Sequence, residues 1–348
     1  MNFINKNTFL IRLFHWEYWP WQVIYLPIMF YYLLLSLKSR SLFFFFNVNP
    51  GIESGGLLIE SKKKILDLLP GNLIPKTLYF EHPVSLKEIL EEMFSHSLHF
   101  PIIAKPDYGE RGWMVEKIED SNELGKYLDM NRLNIIIQEF VDYPIELGIF
   151  YIRHPGENRG RITSIVRKQL LYVTGDGSEK VRDLVKANPR ALMQLKSLEK
   201  RHPDLLNYVP GKGENLELVP IGNHARGATF KSGNDLINSE LSLLIDNIGK
   251  RIEGFYYGRF DIRCKSIEDL NKGRNFKILE LNGAKSEPAH IYQPGTSIFT
   301  AYPVILDHWN EMYHIAQSNH KKGIRYPSIR EGWTVWKKYR YYARLRKP

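Results

Sequence analysis

The chain has 348 residues, of which 43% are hydrophobic and 25% are charged; this composition excludes a wholly disordered, collagen-like or polytopic membrane protein. The length allows one to three domains with a substantial core. The single cysteine, Cys264, excludes a disulfide framework and a cysteine-based zinc site, and it favours a reducing, cytosolic compartment. The net charge of +10 is concentrated at the ends, because residues 320–348 carry ten Lys/Arg and a single acid.

Residues 19–37 form an apolar run about as long as a transmembrane helix requires. Pro20 and Pro27 interrupt the run, and the absence of a small-residue cleavage site argues against a secretory signal peptide. Three interpretations remain open: a helix packed on its own domain, an interfacial helix with tryptophans at headgroup level, and a true span. Residues 41–47 then predict a buried strand. Together, residues 1–59 are predicted to form an N-terminal segment of helix, strand and turn.

Residues 60–317 are predicted to form the main domain. The apolar patterns predict helices at 61–69, 84–96, 121–130, 179–206, 235–254 and 298–317, and strands at 100–106, 113–118, 133–141, 146–153, 258–265 and 275–282. This alternation favours an α+β or α/β enzyme built around antiparallel strand pairs.

Two late strands carry polar residues in a pattern typical of a metal site. On a strand, alternate residues share a face, so Glu280 and Asn282 point one way, while Leu279 and Leu281 point into the core. Asp261 comes opposite them if the strands pair through the loop at 266–274. Oxygen ligands of this kind suit magnesium. The alternative is that these are charges on the solvent face of a sheet.

Lys105 lies at the end of a predicted strand, before a glycine loop at 107–112. Glycines let backbone N–H groups approach a polyphosphate, and a lysine supplies a point charge for its oxygens. An ordinary hairpin would have the same composition. The loop is not a Walker loop, and no Rossmann fingerprint occurs.

A third feature is the apolar strand that ends in a polar bend at residues 137–146. Backbone groups near Phe140 and Val141 could meet a base edge, while Glu146 could accept hydrogen bonds from ribose hydroxyls. Glu139 and Glu146 could equally be surface acids.

Taken in order along the chain, these features resemble the ATP-grasp superfamily, especially its D-alanyl-D-alanine ligase and cyanophycin synthetase branches, over roughly residues 60–310. The resemblance implies an α+β fold in which two α+β subdomains grip the nucleotide after a short N-terminal segment, with ATP and Mg²⁺ as cofactors. Matched to that family's motifs, the site residues are Lys62 and Lys105 for the nucleotide phosphates, Gln138, Glu139, Phe140 and Val141 for the adenine hinge, Glu146 for ribose, Asp261, Glu280 and Asn282 for magnesium, and Arg259 for the transferring phosphoryl group.

The resemblance implies a ligase that joins a small-molecule carboxylate to an amine through an acyl phosphate. Such chemistry needs no protein nucleophile, in agreement with the lack of a convincing nucleophile–base constellation. The residues after Asn282 differ from those of D-alanyl-D-alanine ligases, so D-alanine is not the expected substrate. Two alternatives keep the fold: a membrane-associated nucleotide-binding protein without ligase activity, and a kinase-type phosphotransferase.

Residues 318–348 are predicted to form a basic tail in which aromatic residues and cations alternate. This mixture suits an anionic membrane surface, a nucleic-acid backbone or a solvated tail. Nucleic acid is the least favoured partner, because no recognised nucleic-acid module accompanies the charge. The predicted location is cytoplasmic, and peripheral attachment at the inner face of an anionic membrane through both termini is left open. A loop at 223–229 also carries His224 and Arg226, which could hold a carboxylate or phosphate or belong to an ordinary loop.

Overall fold

The structure is a computed structural model that describes residues 7–58, 60–110 and 112–345. Parts of three predicted segments lie outside these residues: the first six residues of the N-terminal segment, Arg111 of the glycine loop, and 346–348 of the basic tail.

Helices and antiparallel strands are both present in the described chain, so the predicted α+β class is confirmed. The strands are β1 (Thr77–Phe80), β2 (Ile102–Pro106), β3 (Glu116–Ile118), β4 (Ile135–Glu139), β5 (Ile145–Ile152), β6 (Arg161–Gln169), β7 (Leu171–Thr174), β8 (Asn215–Val219), β9 (Thr229–Ser232), β10 (Tyr257–Cys264) and β11 (Phe276–Asn282). The α-helices are α1 (Thr8–Phe14), α2 (Trp21–Tyr25), α3 (Met29–Ser39), α4 (Lys62–Asp67), α5 (Leu86–Ser95), α6 (Ser121–Met130), α7 (Val181–Ala187), α8 (Pro189–Leu192), α9 (Leu195–Arg201), α10 (Ser239–Arg251), α11 (Ile267–Asn271), α12 (Ile298–Lys321) and α13 (Ile329–Leu345).

The first sheet has the strand order β1-β4-β2-β3, and its pairs are antiparallel. Ile102 and Ala104 of β2 point into a core that also contains Ile89 of α5 and Leu124 of α6. Because side chains alternate along a strand, Lys105 lies on the opposite face of this sheet.

The second sheet has the order β11-β10-β5-β6-β9 and is also antiparallel. Phe260, Ile262 and Cys264 of β10 pack in one core with Ile245 of α10 and Ile65 of α4. The intervening residues of β10 therefore face away from that core. A smaller sheet, β7 and β8, packs with α7, α8 and α9 in a separate core.

The predicted strand at 41–47 is wrong. Phe44–Asn47 form a 3₁₀ turn whose phenylalanines, Phe44, Phe45 and Phe46, are all buried, and two of them, Phe44 and Phe45, belong to the same core as Met312 of α12. A continuous apolar run has no period, so it cannot distinguish a buried strand from a buried turn.

Five strands were not predicted: β1, β6, β7, β8 and β9. The helical pattern at 179–206 is also divided into α7, α8 and α9. Asn188 ends α7 and caps α8, where Pro189 occupies the first turn. Proline lacks an N–H and is tolerated at a helix start, so it separates the two helices.

The end of the chain, predicted as a tail, contains α13, which packs against the domain. Lys338 forms an ion pair with Glu53 at 2.7 Å, and the ring of Tyr342 stacks on Tyr108 with centroids 4.5 Å apart. The predicted domain boundaries, at 59/60 and 317/318, remain predictions.

Candidate active site

A cavity of about 1550 Å³ lies between the two larger sheets. Lys105 and Gln138 line it from the first sheet, and Asp261 and Glu280 line it from the second. All the residues assigned to the site from the sequence line this cavity: Lys62, Lys105, Gln138, Glu139, Phe140, Val141, Glu146, Arg259, Asp261, Glu280 and Asn282. Their individual roles remain predictions.

The acidic wall of the cavity is formed by β10 and β11. Asp261 lies directly opposite Glu280, and Arg259 lies opposite Asn282. The register shifts between Asp261 and Ile262. Such a bulge places an extra residue on one strand and re-aims its side chain. The expectation that Leu279 points into the core is therefore wrong, because Leu279 lines the cavity, whereas Leu281 is in the core as expected.

The Asp261 carboxylate binds two cations. Its oxygens accept hydrogen bonds from Arg259 Nε at 2.8 Å and Nη2 at 3.1 Å, and Lys168 Nζ lies 3.2 Å away. Burial acts to raise the pKa of Asp261, but Arg259 and Lys168 outweigh it and hold the pKa below its ordinary value. Gly148 is the β5 partner of Asp261, and a Cβ there would lie 3.1 Å from the Asp261 carboxylate. The absence of a side chain at Gly148 therefore leaves room for this ion pair.

Glu280 differs from Asp261, because its carboxylate makes no hydrogen bond or ion pair with any described residue. Its charge nevertheless favours protonation of the partly buried Lys62 and the buried Lys105. Burial dominates at both, lowering the pKa of Lys62 and bringing that of Lys105 to about 8. Lys105 Nζ donates to Gln138 Oε1 at 2.8 Å, which fixes the position of the ammonium group.

Lys62 is positioned by the link between α4 and the glycine loop. Asp107 in that loop accepts hydrogen bonds from Ser61 Oγ at 2.8 Å and from the backbone N–H of Lys63 at 2.9 Å. Lys62 Nζ in turn donates to the carbonyl of Gly109 at 2.7 Å. The start of the helix and the loop thus hold one cation at the edge of the cavity.

Glu146, the predicted ribose acid, is also paired within the protein. It accepts from Arg263 Nε at 3.0 Å and lies 3.2 Å from Lys168 Nζ. Arg263 Nη1 also donates to the carbonyl of Val141 at 2.8 Å, so the predicted hinge is tied to the second sheet. The backbone of Gly222 packs closely against the Glu146 carboxylate, since a Cβ at Gly222 would lie 2.2 Å from Glu146 Oε1.

The donor set at the acidic wall fits Mg²⁺. Asp261, Glu280 and Asn282 offer two carboxylates and an amide on paired strands, and Mg²⁺ takes few protein oxygens while retaining waters. Within the described residues, no group of three or more His, Cys, Asp or Glu side chains could hold a metal by itself. The fit therefore includes the Asn282 amide, and a bound cation would share Asp261 with Arg259 and Lys168.

His224 and Arg226 both contact protein groups, and His224 also lines the cavity. His224 Nε2 lies 3.3 Å from Glu17 Oε2, and Arg226 Nη1 donates to the carbonyl of Val115 at 2.6 Å. That the pair holds a substrate carboxylate or phosphate therefore stays a prediction.

The sequence did not point to Lys168 or Glu287. Lys168 lies on the unpredicted strand β6. Glu287 lines the cavity, accepts hydrogen bonds from the hydroxyls of Tyr25 and Tyr292, and lies next to Arg259, whose Nη1 is 3.5 Å from its backbone carbonyl. Burial raises the pKa of Glu287 to about 6, against the opposing effect of the Tyr292 hydrogen bond.

No protein-family model matches the sequence, and no curated protein matches it. Several solved structures resemble the fold. A bifunctional glutathione synthetase from Pasteurella multocida is 17% identical with a TM-score of 0.38; the match covers 72% of this chain and 36% of that one. A D-alanine–D-alanine ligase from Bacillus anthracis is 12% identical with a TM-score of 0.43, covering 76% and 69%. The ATP-grasp ligase PsnB, complexed with its minimal precursor, is 12% identical with a TM-score of 0.38, covering 72% and 60%. The chain thus matches only about a third of the length of the glutathione synthetase, and the likeness is one of fold.

Proposed function

We propose that the protein is an ATP- and magnesium-dependent ligase that joins a carboxylate to an amine through an acyl phosphate. The observation that carries this proposal is that candidate metal ligands and lysine side chains line the same cavity. Asp261, Glu280 and Asn282 lie on paired strands, and two cavity lysines, Lys62 and Lys105, are close enough for the charge of Glu280 to favour their protonation. Phosphoryl transfer requires this combination of metal ligands and fixed cations.

The first step transfers the γ-phosphoryl group to the substrate carboxylate. A carboxylate oxygen forms a bond to phosphorus while the bond from phosphorus to the ADP oxygen breaks. In this assignment Lys62 and Lys105 neutralise the phosphate oxygens, and Arg259 orients the transferring group. Mg²⁺ held by Asp261, Glu280 and Asn282 would supply further charge neutralisation. These buried charges act in a medium of low dielectric, where they are more effective than in water.

In the second step the amine nitrogen attacks the acyl carbon, an amide forms, and inorganic phosphate leaves. The amine must lose a proton in this step. We assign this proton to Glu287, because Glu287 lines the same cavity and its backbone carbonyl lies 3.5 Å from Arg259 Nη1. A pKa of about 6 leaves Glu287 ionised at neutral pH, so it can bind an ammonium group and accept the proton.

We assign the nucleotide to the side of the cavity that is lined by the end of β4 and the residues after it, namely Gln138, Glu139, Phe140 and Val141. Lys117 and Arg263 lie over the ring of Phe140, at 4.5 Å and 5.5 Å from its centroid. These contacts fix the segment that would border the base. Glu146 would meet the ribose only by sharing its carboxylate with Arg263 and Lys168.

The test is a screen for ADP release by purified protein with amino acids, peptides and hydroxy acids as substrates. A ligase yields ADP, phosphate and a new amide in equal amounts, and every product requires both the carboxylate and the amine. A stable phosphorylated compound would instead indicate the kinase-type phosphotransferase, and the ligase proposal would be rejected.

A second candidate is a nucleotide-binding protein without ligase activity. It is favoured by the double pairing of Asp261, because Arg259 and Lys168 already neutralise a predicted metal ligand. Such a protein would bind ATP but would release no phosphate with any pair of substrates.

A further inference from the structure

The N-terminal helices present an apolar face to the outside of the molecule. The segment from Trp21 to Ser39 comprises α2, a 3₁₀ turn and α3, and it is the candidate membrane span found among the described residues, with a mean hydropathy of 1.2. Its exposed side contains Leu26, Phe30, Leu33, Leu34 and Leu37, here called the apolar face. Their spacing of three and four residues places them on one side of a helix.

The apolar face is unusually exposed for its composition: Leu26, Phe30 and Leu37 retain 70%, 76% and 74% of their accessible surface. Single exposed apolar residues are common, but a contiguous group of them marks an interaction site.

The opposite side of the same segment is attached to the domain. Ile24, Ile28 and Leu35 are buried there. The Tyr25 hydroxyl donates to Glu287, and the Tyr31 hydroxyl donates to Asn310 of α12. A helix held by the domain along one side can offer only its other side to lipid, so it is suited to lie in a membrane surface rather than to cross it.

The charges around the apolar face favour an anionic partner. Residues 18–52 contain no Asp or Glu. The cations Lys38 and Arg40 follow the apolar residues and are exposed. This lack of acids removes the repulsion that an anionic surface would otherwise meet, and the two cations supply attraction.

The basic helix α13 lies beside this segment. A Cβ at Gly332 would lie 2.3 Å from the ring of Phe43, so the start of α13 contacts the chain just after α3. Ile329 and Trp333 are exposed in its first turns, and Arg330, Lys337 and other cations project from the same helix. The fold thus brings an apolar surface and a basic, aromatic surface from opposite chain ends to one region of the molecule.

We propose that the apolar face docks on an anionic lipid bilayer, lying parallel to its surface, with the exposed cations of α13 contacting the headgroups. The apolar side chains leave water for the acyl boundary, and the cations add electrostatic attraction. Trp21, at the start of the same segment, lines the cavity and is half-exposed, so docking would bring the rim of the cavity close to the membrane. This inference does not depend on the ligase activity.

The experiment is sedimentation of the full chain with vesicles of phosphatidylcholine alone or mixed with phosphatidylserine. We expect the protein to sediment with the mixed vesicles and much less with the neutral ones. For the triple variant Leu26→Glu, Phe30→Glu, Leu37→Glu, the partition coefficient onto the mixed vesicles should be at least tenfold lower than for the wild type. Its matched control is Phe94→Glu, Met130→Glu, Leu243→Glu, which adds the same three charges at exposed apolar positions on α5, α6 and α10 and should bind as the wild type does.

A folding defect in the first triple variant is separated by a second measurement. Phe30→Cys can be labelled with an environment-sensitive dye, because the native Cys264 is buried. A blue shift on adding mixed vesicles supports docking, and an unchanged spectrum overturns it. The proposal also fails if the wild-type protein does not bind mixed vesicles, or if both triple variants lose vesicle binding equally. It fails as well if the apolar face instead joins two copies of the chain, which would be seen as a dimer that the first triple variant converts to monomers. Resistance of the cell-expressed protein to carbonate extraction would show a true span and overturn surface docking.

Discussion

The candidate active-site cavity and the apolar face depart from ordinary burial in opposite directions. In the cavity, charged groups such as Lys105, Glu146 and Asp261 are buried; on the apolar face, Phe30 and Leu37 are exposed. Burying a charge costs free energy, and its ion-pair partners offset only part of that cost. Apolar surface that stays exposed to water does not contribute the stabilisation that its burial would give. Neither arrangement is explained by stability, and each is therefore best explained by something that binds there.

The largest expected effect concerns Glu280, a cavity carboxylate that forms no hydrogen bond or ion pair with the residues the structure describes. Glu280→Gln keeps the size of the side chain and removes its charge, so we expect ATP turnover to fall by at least about a hundredfold, as for the loss of a metal ligand. Thermal unfolding should stay within about 2 °C of the wild type, because no ion pair is broken. Turnover is followed by ADP release.

Asp261 provides the contrasting variant. Asp261→Ala also removes a predicted ligand, but it leaves the largely buried Arg259 without its carboxylate partner and Lys168 with Glu146 alone, at a cost of about 3 kcal/mol or more in stability. A clear drop in melting temperature is therefore expected for Asp261→Ala and not for Glu280→Gln. Equal melting temperatures for the two variants would be inconsistent with the pairing described here.

Lys105 is expected to make ATP binding depend on pH. Its pKa of about 8 means that the ammonium charge is present below pH 8 and is lost as the pH rises through that value. ATP affinity should therefore weaken above pH 8 in the wild type. Lys105→Met should lower the affinity about tenfold or more at pH 7 and remove this dependence. A pH-independent affinity in the wild type would rule out a role for Lys105 in charge neutralisation.

The variant Glu287→Gln is expected to change stability by a smaller amount, and the raised pKa of Glu287 determines whether the change is a gain or a loss. Because its pKa is raised to about 6 in the folded protein, its contribution to stability is present below its ordinary value near 4.5 and is lost as the pH rises through 6. Glu287→Gln should thus gain stability relative to the wild type between pH 5 and 7.5. After allowance for its partial exposure, the gain should be about 1 kcal/mol, measured by thermal unfolding.

The same variant tests the proposed proton acceptor. Wild-type turnover should rise as Glu287 ionises through pH 6, and Glu287→Gln should lack that rise. A rise that survives the substitution would assign it to another group.

The smallest expected effect lies outside the cavity, where α13 meets Glu53. Lys338→Ala removes a partly exposed ion pair and should cost only about 0.5 kcal/mol. Thermal unfolding would show a shift of a degree or two. A loss comparable to that of Asp261→Ala would mean that α13 contributes to the core of the fold.

The site was predictable wherever its residues lie on strongly patterned strands. The alternation of apolar and polar residues in β10 and β11 predicted that Asp261 would face Glu280. The same reasoning missed Lys168, because β6 mixes buried and exposed residues and its contacts to Glu146 and Asp261 join distant parts of the chain. It also misplaced Leu279, since a bulge depends on the pairing of two strands and leaves no mark in either alone.

The terminal segments were harder to predict for a different reason. The sequence showed that one end is apolar and the other basic, but their proximity arises from tertiary contacts such as that between Gly332 and Phe43. Likewise, periodicity could not show which side of the segment at 21–39 is covered, because that side is chosen by packing on α12.

Calorimetric titration of ATP into wild-type protein and Glu280→Gln, each with Mg²⁺ and with a chelator, tests the central claim most directly. We predict that Mg²⁺ tightens ATP binding to the wild type at least tenfold and that Glu280→Gln removes most of this difference. Equal affinity with and without Mg²⁺ in the wild type, or an undiminished Mg²⁺ effect in Glu280→Gln, would contradict it.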